Sequence, residues 1–253
     1  MTDTSKKTLS IQVSLNGLSF CIYDTSSNTI DVVDHLSFSK KLNPFETLEQ
    51  LKSKLAVNTH FSQDFESLQI IHYNELATLV PSQLYDEANN AEYLKYNSKI
   101  LKTDFIASDK LEYENIISVY VPYVNINNYI FETFGTFTYK HASTLFLDAI
   151  VALNIINQED HLFVNLVGET MQLAVFKNNA FQLYNFFEFN SPEDFIYYVL
   201  FTCEQKQLNP ESVKLYLIGD INTDDNYFTI AYRYIRHVEV IEDSKDFLIK
   251  NSF

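Results

Sequence analysis

Apolar and polar side chains alternate one by one between residues 9 and 15, and a period of two predicts a half-buried β-strand. The dipeptide Asn16-Gly17 follows and predicts a tight hairpin, because both residues tolerate a positive φ. Apolar positions then recur at residues 18–22 and, after a polar turn, at residues 30–38. The chain therefore opens with a predicted meander of three strands.

The same pattern returns in the second half of the chain. The apolar positions of the first two strands reappear at one constant offset of 153 residues, as Leu162, Val164, Leu166, Leu173 and Val175. The next turn is two residues shorter, and the third strand reappears at an offset of 151 residues, as Phe181, Leu183, Phe187 and Phe189. We therefore interpret the segments from about Leu9 to Glu75 and from about Leu162 to Asp220 as two copies of one α/β unit.

Both copies continue with the same helix-start signal. At Asn43 and at Ser191 a capping side chain precedes a proline, and an acid lies in the first turn. A helix and then a buried strand are predicted in each copy: Phe45–Val57 with Glu66–Ile71, and Glu193–Gln207 with Glu211–Tyr216. The agreement of four elements in the same order makes the duplication the strongest feature of the sequence.

Residues 77–158 separate the two copies. Helices are predicted from spacing at Pro81–Tyr96, Asn125–Phe134, Thr144–Asn157 and, after the second copy, Asn222–Tyr234. Strands are predicted at Phe105–Ala107, Ile116–Tyr123, Thr136–His141 and Val238–Ile241. We expect a first lobe of residues 1–76 plus part of 77–158 as an inserted segment, and a second lobe of residues 159–253.

Composition narrows the function classes. The 33 acidic and 18 basic residues give a formal charge of −15, which repels phosphate backbones and anionic lipid, so we expect neither nucleic acid nor membrane insertion. No apolar run reaches the roughly 20 residues of a membrane span, and residues 1–8 lack a signal-peptide pattern. The expected location is the cytoplasm.

No catalytic or metal-binding motif is visible. The six histidines show no zinc-ligand spacing, and a structural or surface role is favoured for them. Cys21 and Cys203 lie in apolar segments and are expected to be buried. The aromatic strand Phe181–Phe189 would show Tyr184 and Phe186 on its outer face. Either a helix covers them or they form an exposed patch for a protein partner.

A duplicated unit of three-strand meander, helix and strand resembles the superfamily of actin, sugar kinases and heat-shock 70 ATPases. More narrowly, the chain resembles a small uncharacterised bacterial family, a domain of unknown function with an actin-like ATPase fold. More distantly, it is similar to the actin-like cytoplasmic domains of pilus and type II secretion assembly proteins. The resemblance covers nearly the whole chain and implies an α/β, duplicated ribonuclease H-like fold of two lobes, each with a mixed sheet.

In that superfamily the meander turns hold nucleotide phosphates. The positions that match the family's Asp and Gly pattern are Ser14, Asn16, Gly17, Asn165 and Gly168, and Gly219 with Asp220 matches its nucleoside-binding glycines. Neither turn carries the magnesium-binding acid at the expected place, and an acid replaces the second nucleoside glycine. No Lys or Arg occurs in residues 8–39 or 141–176, although a triphosphate needs positive partners.

These departures favour a non-catalytic actin-like protein that acts as a binding or scaffold module with an unidentified protein partner. Whether the chain is an enzyme is not decided, but phosphoryl transfer would lack its central parts. The alternative is a nucleotide-binding protein with degenerate phosphate motifs, which would take ATP and magnesium into a cleft. No cofactor is expected under the first reading, and the oligomeric state is open.

Overall fold

The computed structural model describes residues 6–96, 98–112 and 115–253. Its strands are β1 Lys7–Val13, β2 Gly17–Asp24, β3 Thr29–Ser37, β4 Ser67–His72, β5 Ala77–Pro81, β6 Ala107–Lys110, β7 Ile116–Tyr120, β8 Thr138–His141, β9 His161–Val167, β10 Thr170–Lys177, β11 Ala180–Glu188, β12 Lys214–Gly219 and β13 His237–Val240. Its helices are α1 Pro44–Val57, α2 Asn90–Leu94, α3 Val124–Phe134, α4 Ala142–Ala152, α5 Pro192–Lys206, α6 Asn226–Tyr234 and α7 Phe247–Lys250.

Two five-stranded sheets have the same strand order. The first runs β3-β2-β1-β4-β8 and the second runs β11-β10-β9-β12-β13. In each sheet the first three strands pair antiparallel, and the last two strands add in parallel. The predicted duplication, with a mixed sheet opened by a three-strand meander in each copy, is confirmed.

The two copies also share an irregularity that the apolar pattern did not reveal. The pairing of β2 with β3 shifts register between Ile22 and Tyr23, and the pairing of β10 with β11 shifts between Val175 and Phe176. The two shifts are separated by the same 153 residues as the apolar positions. A bulge bends its strand and increases the local twist, so the third strand is irregular at the same place in both copies while it stays paired on both sides of the shift.

The chain divides into two compact units, Met1–Leu145 with Leu248–Phe253, and Phe146–Phe247. In the first unit, α1 and α3 pack on one face of the sheet, and in the second unit α5 and α6 do the same. The first unit also contains the three-stranded sheet β5-β7-β6, which has a small core of its own. This inserted sheet is the main difference between the copies.

The helix caps follow the sequence prediction. Asn43 accepts from the amides of Phe45 and Glu46, and the Glu46 carboxylate accepts from the Asn43 amide, which completes a capping box. In the second copy the Ser191 hydroxyl accepts from the Asp194 amide at 3.1 Å. These bonds satisfy amides that have no partner inside the helix, so local sequence places both helix starts.

The first hairpin is present, but its glycine has another role than predicted. β1 pairs with β2 at Val13 and Leu18, and neither Asn16 nor Gly17 has a positive φ. A Cβ on Gly17 would lie 2.8 Å from the carbonyl oxygen of Leu36. Gly17 is therefore explained by the close approach of β3, which the local sequence could not show.

The first strand is buried on both faces and is not half-buried as predicted. The polar residues Ser10 and Gln12 are 0% and 8% exposed. The hydroxyl of Ser10 bonds that of Ser252 at 2.7 Å, so the end of the chain covers the face that the alternation assigned to solvent. Periodicity alone cannot show whether a polar residue in a strand is exposed or is buried with a hydrogen-bond partner from another part of the chain.

The strand that follows each helix was predicted with a register error in the second copy. β1 pairs Leu9 with Leu68, and β9 pairs Leu162 with Leu215. Leu68 therefore corresponds to Leu215. The predicted strands Glu66–Ile71 and Glu211–Tyr216 had aligned Leu68 with Val213, which lies two positions earlier. An error of two residues keeps the same face of the strand, which explains why the pattern did not expose it.

The helix predicted at Pro81–Tyr96 is largely wrong. Residues Ala77–Pro81 form β5, two short 3₁₀ turns follow, and α2 spans only Asn90–Leu94. Only Pro81 of the predicted helix lies in β5, which pairs with β7. The rest is interrupted by extended backbone at Tyr85 and Asp86, and the Asp86 carboxylate caps the 3₁₀ turn that follows. An Asp side chain that bonds the backbone in this way competes with a continuous helix.

The aromatic strand β11 is covered. Tyr184 and Phe186 are half-buried, and the ring of Tyr184 lies 6.4 Å from that of Phe146 in α4. Of the two explanations that the sequence left open, the covering helix is confirmed at Tyr184, and Phe186 is not fully exposed either. Both cysteines are buried as expected, and burial raises the pKa of Cys203 to about 11.

Candidate functional site

The first meander turn is closed by its own side chain. The Ser14 hydroxyl donates to the Gly17 carbonyl at 2.9 Å and accepts from the amides of Asn16 and Gly17 at 3.2 and 3.0 Å. The Ser14 amide also donates to the Gly17 carbonyl at 3.0 Å. Backbone amides in a turn are the groups that bind phosphate in anion-binding nests. Here two of them already have an acceptor within the turn.

The second meander turn has a different chemistry. Gly168 has a φ of +58°, which suits the first position of a two-residue hairpin loop. Glu169 is the second loop residue and is exposed, and the Thr170 hydroxyl donates to the Val167 carbonyl at 2.7 Å. This turn therefore presents a carboxylate at its tip, which would repel a phosphate group.

Asn165, which lies at the end of β9, faces the protein interior. Its side chain is 1% exposed, and its amide nitrogen donates to the Gln172 side-chain oxygen at 3.0 Å. The Gln172 amide nitrogen donates in turn to the Tyr184 hydroxyl at 3.0 Å. Buried polar groups need such partners, so Asn165 belongs to a network that links three neighbouring strands.

Gly219 ends β12 against the backbone of β9. Its φ is +116°, and a Cβ would lie 2.3 Å from the Leu166 carbonyl oxygen. Its amide donates to the Ser244 hydroxyl at 3.1 Å, and that hydroxyl donates to the Ile241 carbonyl at 2.7 Å. Close packing between two strands explains the glycine, and its amide bond to Ser244 was not foreseen from the sequence.

Asp220 follows Gly219 and is exposed. Its carboxylate lies 3.0 Å from the Lys245 ammonium group, and this hydrogen bond and charge raise the pKa of Lys245. The structure thus places the seven predicted site residues in two groups. Ser14, Asn16 and Gly17 form one turn of the first unit, while Asn165, Gly168, Gly219 and Asp220 lie near the ends of β9 and β12 in the second unit.

A buried polar cluster in the first unit was missed by sequence reasoning. His72 and His141 end the neighbouring parallel strands β4 and β8 and occupy paired positions. Nδ1 of His72 accepts from the Tyr123 amide at 3.2 Å, and its Nε2 lies 3.1 Å from the Asn127 side-chain oxygen. Because Nδ1 is an acceptor, the ring carries its proton on Nε2 and donates it to Asn127.

His141 is bound in the same tautomer. Its Nδ1 accepts from the Ser143 amide at 3.1 Å, and its Nε2 donates to the Asn74 carbonyl at 3.2 Å. Burial lowers the pKa of both His72 and His141 to about 3, and each histidine would also repel a charge on the other. Both imidazoles are therefore neutral, and both ring nitrogens of each already have protein partners.

Asp109 completes this cluster. One carboxylate oxygen accepts from the Tyr120 hydroxyl at 2.9 Å, and the other accepts from the His141 amide at 2.7 Å and the Thr144 hydroxyl at 3.0 Å. Burial raises the pKa of Asp109, although these hydrogen bonds oppose the shift. These bonds connect the inserted sheet to the start of α4, where the His141 side chain itself accepts from the amide of Ser143. Within residues 6–96, 98–112 and 115–253, no group of three His, Cys, Asp or Glu side chains could hold a metal ion.

A family model described as "Protein of unknown function (DUF3822)" matches residues 1–238. The chain belongs to this family. A comparison with curated protein sequences finds no match. Membership therefore identifies relatives without assigning an activity.

Solved structures with a similar fold have names that describe different processes. A Bacteroides thetaiotaomicron protein with an actin-like ATPase fold and unknown function superposes with a TM-score of 0.86 at 18% identity, covering 99% of this chain and 98% of that one. A type IV pilus biogenesis complex, PilM–PilN, gives a TM-score of 0.60 at 12% identity, with 92% and 88% covered. The ethanolamine utilization protein EutJ of Carboxydothermus hydrogenoformans gives 0.55 at 9% identity, with 97% and 88% covered.

At these identities the comparisons show the fold, which is the actin-like ATPase fold, and leave the activity open. The predicted family resemblance and fold class are confirmed. None of the helices in the described parts of the chain has both the length and the apolar character needed to cross a membrane.

Proposed function

We propose that this protein is a non-catalytic actin-like binding or scaffold module in which the two meander turns no longer serve a nucleotide. The observation that carries the proposal is the Ser14 hydroxyl, which occupies the amides of Asn16 and Gly17. A phosphate would have to displace these two bonds, and the strands that form the turn, within residues 8–39, contain neither Lys nor Arg. Lys41 precedes Leu42, whose amide donates to the Leu15 carbonyl, and its ammonium group lies 3.9 Å from the Glu75 carboxylate.

The second turn supports the same proposal on independent grounds. Glu169 places a negative charge at its tip, and Asn165 is committed to Gln172. Magnesium in phosphoryl-transfer sites is held by carboxylates that are oriented towards the phosphates. Among the predicted positions the only carboxylate is Asp220, and it is paired with Lys245.

Calorimetry and thermal shift with ATP and magnesium test the proposal directly. We expect no heat of binding and no shift of the unfolding midpoint at millimolar ATP. ATP with a chelator, and magnesium without ATP, separate nucleotide binding from effects of the metal or of ionic strength. Micromolar binding would overturn the proposal.

Two variants decide whether any observed binding occurs at the turns. Asn16→Glu adds one negative charge at the exposed tip of the first turn, and Gln83→Glu adds one negative charge at an exposed position of the segment between the two copies. Binding that requires magnesium, and that is lost in Asn16→Glu but kept in Gln83→Glu, would establish the nucleotide-binding alternative. Equal loss in both variants would indicate a nonspecific electrostatic effect.

The proposed role requires a protein partner, and we propose the cytoplasm as its location. Affinity capture should recover a defined partner that is enriched over a capture with unfolded chain. Failure to recover any partner from cells that express the protein would count against the scaffold role, while leaving the ATP result unaffected.

A further inference from the structure

Helix α6 presents an outer face that combines opposite charges at its two ends. Asp224 is exposed just before the helix, and Asp225 caps its first turn. Arg233 lies in the last turn and Arg236 follows it, and both are exposed. These are the only two arginines in the 253 residues of the chain.

The two guanidinium groups have no side-chain partner in the described part of the chain. Across residues 6–96, 98–112 and 115–253, neither Arg233 nor Arg236 takes part in a side-chain hydrogen bond, ion pair or ring contact. Arginine is the residue best suited to a paired contact with a carboxylate, because its planar group donates two parallel hydrogen bonds. Arg233 also complements the helix dipole at the C-terminal end of α6, but its guanidinium donors stay available for a contact with another molecule.

Exposed aromatic side chains lie on α6 and on the helix beside it. Tyr232 and Tyr234 are 63% and 54% exposed, and the ring of Tyr232 stacks on that of Phe228 at 5.8 Å. On the neighbouring helix α5, Tyr197 and Phe201 are 60% and 44% exposed and stack at 6.0 Å. Exposed tyrosine and arginine together are typical of the residues that contribute most to protein interfaces.

We propose that this face binds a second copy of the chain, with two α6 helices packed antiparallel about a two-fold axis at Thr229. Thr229 is exposed, and Asp225 and Arg233 lie four residues before and after it on the same face. In an antiparallel pair, Asp225 of one copy faces Arg233 of the other, and the reverse contact is generated by symmetry. The helix rise places the two contacts about 12 Å apart.

Charge complementarity favours a second copy over an acidic partner. Helix α6 carries acids at its start and arginines at its end, so antiparallel pairing of two α6 helices brings the acids of each copy opposite the arginines of the other. A net charge of −15 opposes association of two copies, and a face with internal charge complementarity reduces this repulsion where the two copies meet. The small side chain of Thr229 also allows the helices to approach to the usual distance of about 8–10 Å.

Analytical ultracentrifugation over a micromolar to submillimolar series tests the inference. We expect a reversible dimer, and a dissociation constant that rises about tenfold or more in Arg233→Glu, where each of two symmetric contacts becomes repulsive. Asp225→Asn keeps a capping side chain and should weaken the dimer less. A chain that remains monomeric throughout, or a dimer unaffected by Arg233→Glu, would overturn the inference.

Matched controls separate this face from general surface effects. Tyr232→Ala should weaken the dimer, while Phe131→Ala, at an equally exposed position of 63% in α3, should not. Lys40→Glu makes a charge change at an exposed position in the first unit and should also have no effect. Thermal unfolding of each variant identifies any that fail to fold.

A cysteine at the proposed axis tests the geometry. The native cysteines are both buried, so a new surface thiol should be the first to react. Thr229→Cys should form a disulfide dimer under mild oxidation, since paired α-carbons near the axis would lie within disulfide range of about 4.4–6.8 Å. Asn226→Cys, one turn away, should not. Equal cross-linking of both variants would contradict the two-fold at Thr229. The proposed dimer does not depend on whether a nucleotide binds.

Discussion

His72 and Gly219 occupy equivalent positions in the two copies of the repeated unit, but the space and the hydrogen-bond partners around them differ. His72 pairs with Val13 at the end of β4, and Gly219 pairs with Leu166 at the end of β12. The histidine is fully buried in a polar cluster, whereas the glycine leaves no room for a Cβ beside Leu166. The duplication thus preserves the backbone position, while the neighbouring chain determines which side chain can fill it.

The difference follows from what each unit places next to the strand end. In the first unit, partners for the histidines come from Tyr123, Asn127 and Asn74. In the second unit the loop after β13 brings the Ser244 hydroxyl to the strand end. Both strand ends are satisfied by hydrogen bonds from within the chain.

The largest expected effect is a loss of folding stability at acid pH, caused by the two buried histidines His72 and His141. A histidine with a pKa of about 3 when folded and about 6.5 when unfolded takes up its proton on unfolding. Below about pH 6 the two together should therefore reduce the free energy of unfolding by up to about 2.7 kcal/mol per pH unit. Denaturant unfolding measured between pH 7 and pH 4 checks this slope.

Asp109 acts in the opposite direction to the two histidines. Its folded pKa is raised, so its stabilising contribution is present at low pH and is lost as pH rises through that pKa. His141→Gln should remove about half of the histidine slope. His60→Gln, at an exposed position, should leave the slope unchanged, and a slope that also falls there would contradict the assignment.

Gly219→Ala should destabilise the protein by about 3 kcal/mol or more, because it combines backbone strain with a steric overlap. Gly168→Ala is the matched control, since its φ of +58° is also positive but no atom lies within 4 Å of the place that an added Cβ would take. Only the backbone strain of about 1–2 kcal/mol applies there. Equal losses in denaturant unfolding would show that strand packing at Gly219 is not the cause.

Ser14→Ala should destabilise the first turn by about 1 kcal/mol, the usual net value for hydrogen bonds of this kind. Ser39→Ala, at an exposed position after the meander, should change stability less. Hydrogen exchange at Asn16 and Gly17 supplies a local measurement, because the amides lose their acceptor. Unchanged exchange at both amides would contradict the role given to Ser14.

Lys245→Ala should have the smallest effect. Its ion pair with Asp220 is largely exposed, and exposed pairs contribute little because water and salt screen them. We expect no measurable change in unfolding midpoint, with Gly219→Ala measured in parallel as the large effect in the same region. A clear loss in Lys245→Ala would indicate that Asp220 is more than a surface residue.

Local signals predicted the elements that form from neighbouring residues. The caps at Asn43 and Ser191 and the two meanders follow from residues a few positions apart. The Pro81–Tyr96 helix prediction failed because extended backbone at Tyr85 and Asp86 divides the segment into short turns, which helical spacing alone does not reveal. The polar cluster around His72 and His141 was missed because its members are widely separated along the chain.

The sequence by itself determined the repeat and the order of its elements, because these are properties of residue type and spacing. It also showed that the positions matching the superfamily's magnesium-binding motif carry no acid. Only the tertiary structure decided what each polar position does. Ser14 closes its own turn, Asn165 faces inward to Gln172, and Gly219 lies against Leu166. Hydrogen bonds and close contacts depend on which distant segments meet, and the spacing of residues along one strand does not contain that information.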